Sequence, residues 1–444
     1  MSEVIVSKYG GSSITSPADI ERIGSITSED SRRKVIVVSA PGKGNGYDGK
    51  ITDMLIELAM GEESVLIDSI MERYAAIFPG QDLTSARKDL TRRLEHNSNQ
   101  NGKKDLVAAW GEETNARLTA ERLGYGFVDA REILRVSNMF GNAQVLPESE
   151  KKIRGRLREL SKPVVIPGFY GQTKIGQIAT FSRGGSDLTG AVIAAALGAV
   201  EYENFTDTPI YAANPDIVKP VNPAIIRELT HEELRDLSYS GFHIFHPRAV
   251  KPVKDKGIPV HVRSTRMFPD EGTYVLTERI YDQEKPIVGV AYKNGFCSFS
   301  IQRDELNEER GILEKILDVF FESGFGIEHV TGAVDDVSII LKQEQLKEGY
   351  KTSQVVQELK TVVGEGTQVN IQQDLGSIVV AGKGLKGTRG IAAKVYGVLA
   401  ENRVNVVYTS QGSQERCMII GVRDADGPIG VRALLNHFDY LKVA

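Results

Sequence analysis

Cysteine is nearly absent: Cys297 and Cys417 are the two in a chain of 444 residues. Two thiols build neither a disulfide framework nor a four-ligand zinc site. The seven histidines are scattered. His243-Ile-Phe-His246 has a metal-like spacing, but no carboxylate follows at a useful offset, so a structural or loop role is expected. Charge of one sign is also lacking. The 54 Lys and Arg against 59 Asp and Glu leave a net charge of −5, which gives no electrostatic reason to expect nucleic acid or an anionic membrane surface. Any phosphate must therefore be held by local groups. No apolar run approaches the roughly 18 residues of a membrane span. The N-terminus, Met-Ser-Glu-Val-Ile-Val, has an acidic residue and no basic stretch, unlike a signal peptide. The cytoplasm is the expected compartment.

What is present is length enough for about three domains at ~150 residues each. Apolar runs at 4–7, 34–39, 164–168, 203–206 and 259–262 alternate with amphipathic stretches at 17–27, 52–60, 106–123, 188–197 and 232–237. The run Lys34-Val-Ile-Val-Val-Ser39 is that of a strand buried on both faces of a parallel sheet. The alternation predicts a doubly wound α/β domain ending near residue 285. The texture then changes to strand, helix, strand, strand, helix, strand over 296–373, and the order begins again at 377. Gly311-Ile-Leu-Glu-Lys-Ile-Leu and Gly390-Ile-Ala-Ala-Lys-Val-Tyr occupy matching helix starts, so these segments are an internal repeat with a period near 80 residues. The second copy runs short of a fourth strand, whereas 287–293 is a spare strand before the first copy. An incomplete sheet exposes an unpaired edge. The expected arrangement is therefore a first module, 296–374, inserted within a second made of 286–295 plus 375–444, after a first domain spanning 1–285.

The strongest chemical signal is Lys8-Tyr9-Gly10-Gly11-Ser12-Ser13 after the first strand. Two glycines let backbone amides approach an anion, and a lysine there adds a point charge. Alone, the segment reads equally as a tight turn. Arg183-Gly184-Gly185-Ser186-Asp187 then opens a small-residue helix. Ser and Asp cap helices, but capping does not account for an arginine, two glycines and an aspartate converging on one helix start. Arg183 offers a planar fork for a carboxylate, and Asp187 is placed to orient Lys8. Thr206-Asp207-Thr208-Pro209-Ile210-Tyr211 follows a strand on the side where α/β domains bind ligands. Ser39-Ala40-Pro41-Gly42, Thr52-Asp53 and Gly111-Glu112 complete the set. The stretch Gly44-Asn-Gly-Tyr-Asp-Gly49-Lys50 fits seven positions of a P-loop, but Ile51 stands where a hydroxyl for Mg²⁺ is needed. A mobile active-site loop, with Lys50 near substrate, is the better reading.

Taken in order, Lys-Tyr-Gly-Gly-Ser-Ser, Val-Val-Ser-Ala-Pro, Gly-Glu, Ser-Arg-Gly-Gly-Ser-Asp, Thr-Asp and Phe245-His246-Pro247-Arg248-Ala249 resemble the aspartate kinases along the whole chain. The resemblance implies an amino-acid-kinase-like αβα sandwich with a mostly parallel central sheet, followed by two ferredoxin-like (βαββαβ) ACT modules. It implies transfer of the γ-phosphoryl of Mg-ATP to the side-chain carboxylate of L-aspartate, with ATP and Mg²⁺ required. Lys8 and Asp187 would be catalytic. Ser39, Thr52, Glu112, Phe169, Arg183 and Ser186 would bind aspartate, with Arg183 on its α-carboxylate and Glu112 on its ammonium. Lys8, Gly10, Gly11, Thr206, Asp207, Tyr211 and Arg266 would bind the nucleotide. Tyr9 stands where the family has Phe, and Asp216 where several relatives have arginine. Asn307, Glu328, Asn405 and Gln411 would contact an amino-acid effector, expected to be lysine, unless these positions serve a subunit interface. ACT pairing implies at least a homodimer. A carboxylate nucleophile is already ionised at neutral pH, so the lack of a His–Asp or Ser–His pair is expected. Other classes remain: a glutamate or N-acetylglutamate kinase of the same fold, or a silent amino-acid-sensing protein. A kinase–dehydrogenase fusion is not expected, since no residues for a dinucleotide-binding domain follow residue 444.

Overall fold

The computed structural model describes residues 3–61, 65–96, 99–182, 184–242, 250–347 and 349–443. Two units separate by their internal packing. One comprises Met1–Ile210, Arg227–His231 and Ile244–Arg279; the other comprises Tyr211–Ile226, Glu232–His243 and Ile280–Ala444.

The strands of the first unit are β1 (Ile5–Tyr9), β2 (Arg33–Val38), β3 (Gly126–Phe127), β4 (Arg135–Val136), β5 (Val164–Pro167), β6 (Tyr170–Thr173), β7 (Ile178–Thr180), β8 (Glu201–Thr206), β9 (Glu228–Thr230), β10 (Val260–Ser264) and β11 (Thr273–Leu276). Eight of them form one sheet in the order β3-β5-β2-β1-β8-β10-β11-β9, while β4, β6 and β7 form a small separate sheet. Every pairing in the large sheet is parallel except β10 with β11. The central strands are buried along most of their length, β1 at every residue, as strands covered on both faces require. Register then positions the site. Tyr9 lies opposite both Val38 and Phe205, Val38 opposite Pro167, and Ser264 opposite Thr206. The segments leaving β1, β2, β5, β8 and β10 therefore emerge side by side at one sheet edge.

The predicted helices form: Pro17–Glu29 starts where expected, Ile51–Met60, Gly185–Leu197 and His231–Tyr239 start one to three residues early, and Gln100–Leu123 starts six residues early. The longest starts earliest because Asn99 caps it, its side chain accepting from the Gly102 amide.

The second unit holds β12 (Gly289–Gln302), β13 (Ile327–Gly332), β14 (Asp336–Lys342), β15 (Gln368–Ala381), β16 (Tyr408–Ser410) and β17 (Cys417–Arg423). They form one six-stranded antiparallel sheet, β13-β14-β12-β15-β17-β16. The expected spare strand and the first strand of the first repeat are one continuous strand, β12. Likewise the last strand of the first repeat and the first of the second are one strand, β15. Asn294-Gly295 and Asp374 have turn chemistry, and Gly295 and Asp374 take positive φ (80° and 56°). Instead of ending the ladder they mark an irregularity in it, between Lys293 and Ser298. This is the behaviour of a β-bulge, which bends a strand without terminating it. Residues 289–293 pair with 377–381, and 298–302 with 368–372.

Candidate active site

Lys8, one residue before the end of β1, directs its ammonium at Asp187 in the first turn of the helix Gly185–Leu197. The Nζ to Oδ1 distance is 2.6 Å, and both side chains are only 10% exposed. A buried ion pair holds only if its remaining hydrogen-bonding capacity is met. The Asn204 amide on β8 donates to the same Asp187 Oδ1 at 3.0 Å, and the Tyr202 hydroxyl donates to the Asp187 backbone carbonyl at 3.0 Å. Gly184 takes φ +80° to start this helix. Gly10 keeps the amine accessible, since a β-carbon there would stand 3.4 Å from Lys8 Nζ. A β-carbon on Gly11 would lie 2.5 Å from the Ala40 carbonyl oxygen. The turns after β1 and β2 thus pack backbone to backbone, joined by the Gly42 amide donating to Gly11 O at 2.8 Å.

Ser39 follows β2, and its carbonyl accepts from Asn115 Nδ2 at 2.6 Å. One turn earlier on the Asn115 helix sits Glu112, 4% exposed. Its Oε2 has no hydrogen-bond partner among the described residues. Burial pushes its pKa up to about 8, against the opposing pull of the Ala40 amide. Beside it, Gly111 fits because a β-carbon would stand 3.0 Å from both Ala40 Cβ and Leu55 Cδ1. Leu55 belongs to the helix Ile51–Met60, whose first turn carries the half-buried Thr52. Phe169, just after β5, has φ +78°, an uncommon state for an aromatic residue that the surroundings must impose. Its amide donates to Thr189 Oγ1 at 3.1 Å and its carbonyl accepts from the Phe181 amide at 2.8 Å. Gly168 lies against Ser186, where a β-carbon would stand 2.6 Å from Ser186 Cβ. Arg183, the His243–His246 pair and the 245–249 motif lie outside the described residues.

On the other side of Lys8, Thr206 ends β8 and its hydroxyl donates to Asp207 Oδ1 at 3.0 Å. The Ser264 hydroxyl donates to the Asp207 carbonyl at 2.9 Å and accepts from the Arg266 amide at 3.2 Å. Thr265 Oγ1 bonds Ser13 Oγ at 3.2 Å, which ties this end to the turn after β1. Arg266 is exposed. Tyr211 belongs to the second unit, where it bridges to Ile225. Asp216 is exposed and pairs with Lys219.

The structure adds groups that sequence reasoning missed. Asn204, Tyr202 and Asn115 hold Asp187 and Ser39; the only signal for Asn204 is a polar residue in an otherwise strand-like run. Glu201, Glu203 and His261 also gather with metal-ligand spacing, but their atoms are taken. Glu203 accepts from Arg33 at 2.7 and 2.8 Å, from Ser7 Oγ at 2.7 Å and from Arg263 at 3.2 Å. Burial alone would raise the Glu203 pKa, yet the hydrogen bonds and charge of Arg33, with Ser7 and Arg263, hold it below the ordinary value. His261 faces Glu201 at 2.7 Å and the Glu271 carbonyl. This is an ion network bracing β1, β8 and β10.

In the second unit, Glu328 on β13 accepts the Tyr239 hydroxyl at 2.5 Å and lies 3.9 Å from Lys342. Asn307 and Asn405 are exposed. Gln411 and Gly412 line a cavity of about 450 Å³ with Leu385, Thr388 and Gly390.

The amino acid kinase family matches this chain over residues 3–264, and an ACT domain family matches residues 378–438. Aspartokinase 3 of Bacillus subtilis is 39% identical over 451 aligned residues, covering 98% of each chain. The aspartokinase of Geobacillus stearothermophilus is 28% identical, covering 92% of this chain and 90% of the relative. The crystal structure of Clostridium acetobutylicum aspartate kinase superposes with a TM-score of 0.87 at 32% identity, over 98% of this chain and 100% of that one. Escherichia coli aspartokinase III, at 23% identity and TM-score 0.77, shares the fold. On these grounds, and with the Lys8–Asp187 pair in the place its motifs predict, the chain belongs to the amino acid kinase family and, within it, to the aspartokinases.

Proposed function

We propose that the chain transfers the γ-phosphoryl group of ATP to the side-chain carboxylate of L-aspartate, giving 4-phospho-L-aspartate and ADP. The observation that carries this is the pairing of a braced Lys8–Asp187 couple with a buried carboxyl, Glu112, whose Oε2 has no hydrogen-bond partner among the described residues. Glu112 is suited to an ammonium that desolvated ligands bring with them. Ser39, Thr52, Phe169 and Ser186 form the rest of the aspartate seat, with Arg183 for the α-carboxylate. In the reaction a carboxylate oxygen of aspartate forms a bond to Pγ while the Pγ–O bond to the β-phosphate breaks, and ADP carries away the charge. No proton moves, so no general base is needed. Phosphoryl transfer rests on positioning and charge stabilisation. Lys8 supplies the second, since two anions must approach each other, and Asp187 with Asn204 fixes where its ammonium points. Thr206, Asp207 and Arg266, with the Gly10-Gly11 turn, serve the nucleotide end. Asp207 offers an oxygen donor of the kind a hydrated Mg²⁺ takes, and that ion when bound neutralises phosphate charge.

The second unit reads as two nested ACT modules, 296–374 within 286–295 plus 375–444, pairing into a homodimer or larger assembly. The Escherichia coli relative at 24% identity is a lysine-sensitive aspartokinase, and lysine is the proposed effector here. Glu328, Asn307, Asn405 and Gln411 are the candidate contacts. Initial rates measured against added lysine test this, and rates indifferent to millimolar lysine would remove it.

The reaction is tested by trapping the acyl phosphate with hydroxylamine. Aspartate should give hydroxamate while glutamate and N-acetylglutamate give none. Product from glutamate alone would reassign the substrate, and none from any acceptor would refute the kinase reading.

A further inference from the structure

Arg73 is a charge for which the reaction has no use. It lies in the helix Val65–Ile77 and is 2% exposed, where a helix arginine would ordinarily reach solvent. Its Nη1 donates to the Gly49 carbonyl at 2.7 Å, and its guanidinium lies 4.8 Å from the centroid of the Tyr47 ring. Nε and Nη2 are buried without a partner, and no carboxylate pairs with it among the described residues. Burial pushes its pKa down. A guanidinium held this way is costly, and both of its contacts converge on residues 47–49.

That short segment leads to the proposed aspartate seat. The loop leaves Gly42, packed on Gly11, and closes a turn in which Gly44 and Tyr47 exchange two backbone hydrogen bonds of 3.0 Å. Gly44 lies against the Thr15 side chain. Lys50 then precedes the helix Ile51–Met60 but makes no side-chain cap. The helix start is instead fixed by the Ile51 amide donating to the Pro41 carbonyl at 3.3 Å and by Arg73 on Gly49. Ile51 and Leu55 meet Gly111, next to Glu112, so this helix start sets where Thr52 stands relative to Glu112.

We propose that Arg73 is a positioning residue for aspartate: by holding residues 47–49 from behind, it sets the place of Lys50 and Thr52. The inference rests on the aspartate-binding role of Thr52 given above. Removing the grip lets the loop and helix start drift, which weakens acceptor binding and leaves the nucleotide end alone.

The test compares Arg73→Met and Arg73→Lys with the parent enzyme, measuring kcat and both KM values, thermal stability, and tryptic cleavage at the exposed Lys43 and Lys50. Arg73→Met should raise the aspartate KM about 10-fold, with the ATP KM within about 2-fold. Cleavage at Lys50 should accelerate, and Arg73→Lys, which keeps one donor for Gly49, should recover part of the loss. An unchanged aspartate KM in folded Arg73→Met would overturn the proposal. So would an equal rise in both KM values, or a lysine variant no better than methionine. Should the parent not phosphorylate aspartate at all, the reaction reading fails by itself. Cleavage at Lys50 unchanged by Arg73→Met would still reject the grip on the loop.

Discussion

The two faces of the helix Gln100–Leu123 carry adjacent buried glutamates with opposite fates. Glu113 is met by Arg93 at 2.6 Å, Arg117 at 2.9 Å and Arg131 at 3.1 Å. Burial there would raise its pKa, but the charge and hydrogen bonds of Arg93, with Arg131 and Arg117, bring it below the ordinary value. One residue earlier, Glu112 faces the sheet edge, where no cation among the described residues balances it, and its pKa rises to about 8. Burial alone therefore does not distinguish a structural acid from a ligand-binding one; the presence of a built-in counter-charge does. A carboxyl buried without one lowers stability in the empty protein, and a cationic ligand group removes that penalty on binding.

The largest expected effect lies beyond the helix, at the charge both faces of the site depend on. Lys8→Ala should lower kcat by at least ~100-fold, the scale for losing one preorganised electrostatic stabiliser, as steady-state rates at saturating substrates would reveal. Near-normal turnover would separate Lys8 from the chemistry. Next comes Glu112→Gln, which should raise the aspartate KM by about 100-fold, because a charge-assisted contact is lost in a buried site. The same variant should be more stable than the parent by on the order of 1–3 kcal/mol at pH 8. The sign follows from linkage: a carboxyl whose folded pKa is raised binds more protons folded than unfolded. Stability is then lost as pH rises from the unfolded value to about 8, and the variant escapes that loss. Denaturant melts at pH 5 and pH 8 should show the gain growing with pH. Glu113→Gln should behave in reverse and more mildly. Its folded pKa is depressed, so its contribution is present at neutral pH and falls away in acid. Its removal should destabilise by about 1–2 kcal/mol at pH 7 and change the aspartate KM by less than about 3-fold. A Glu113 variant that lost aspartate binding as severely as Glu112→Gln would erase the contrast.

Much of this was legible before any coordinates. Lys8, Gly10, Gly11 and Asp187 announce themselves because each sits where strand gives way to turn or helix, and such junctions have few residue solutions. The alternation of apolar runs with amphipathic stretches gave the sheet, and parallel register does the rest by lining up strand ends. What escaped was nonlocal. Asn204 and Tyr202 serve Asp187 across the gap between a strand and a helix 15 or 17 residues away. A polar residue in a strand looks the same whether it braces an ion pair or faces solvent. Arg73 reads as an ordinary helix arginine until its burial is seen. The positive φ of Phe169 has no sequence signature, since the conformation is imposed by Thr189 and Phe181. In the second unit, Asn294-Gly295 and Asp374 carry turn chemistry that single-strand reasoning takes for termini. Continuous β12 and β15 became visible only through their mutual ladder.

The claim that Glu112 waits uncharged for an ammonium is tested most directly by calorimetric titration of the enzyme with aspartate at pH 7, in two buffers of different ionisation enthalpy. A carboxyl with pKa near 8 is protonated before binding and ionised after it, so close to ~1 proton should be released per aspartate bound, and Glu112→Gln should release none. Binding with no proton release in the parent enzyme, or with the same release in the variant, would contradict the account.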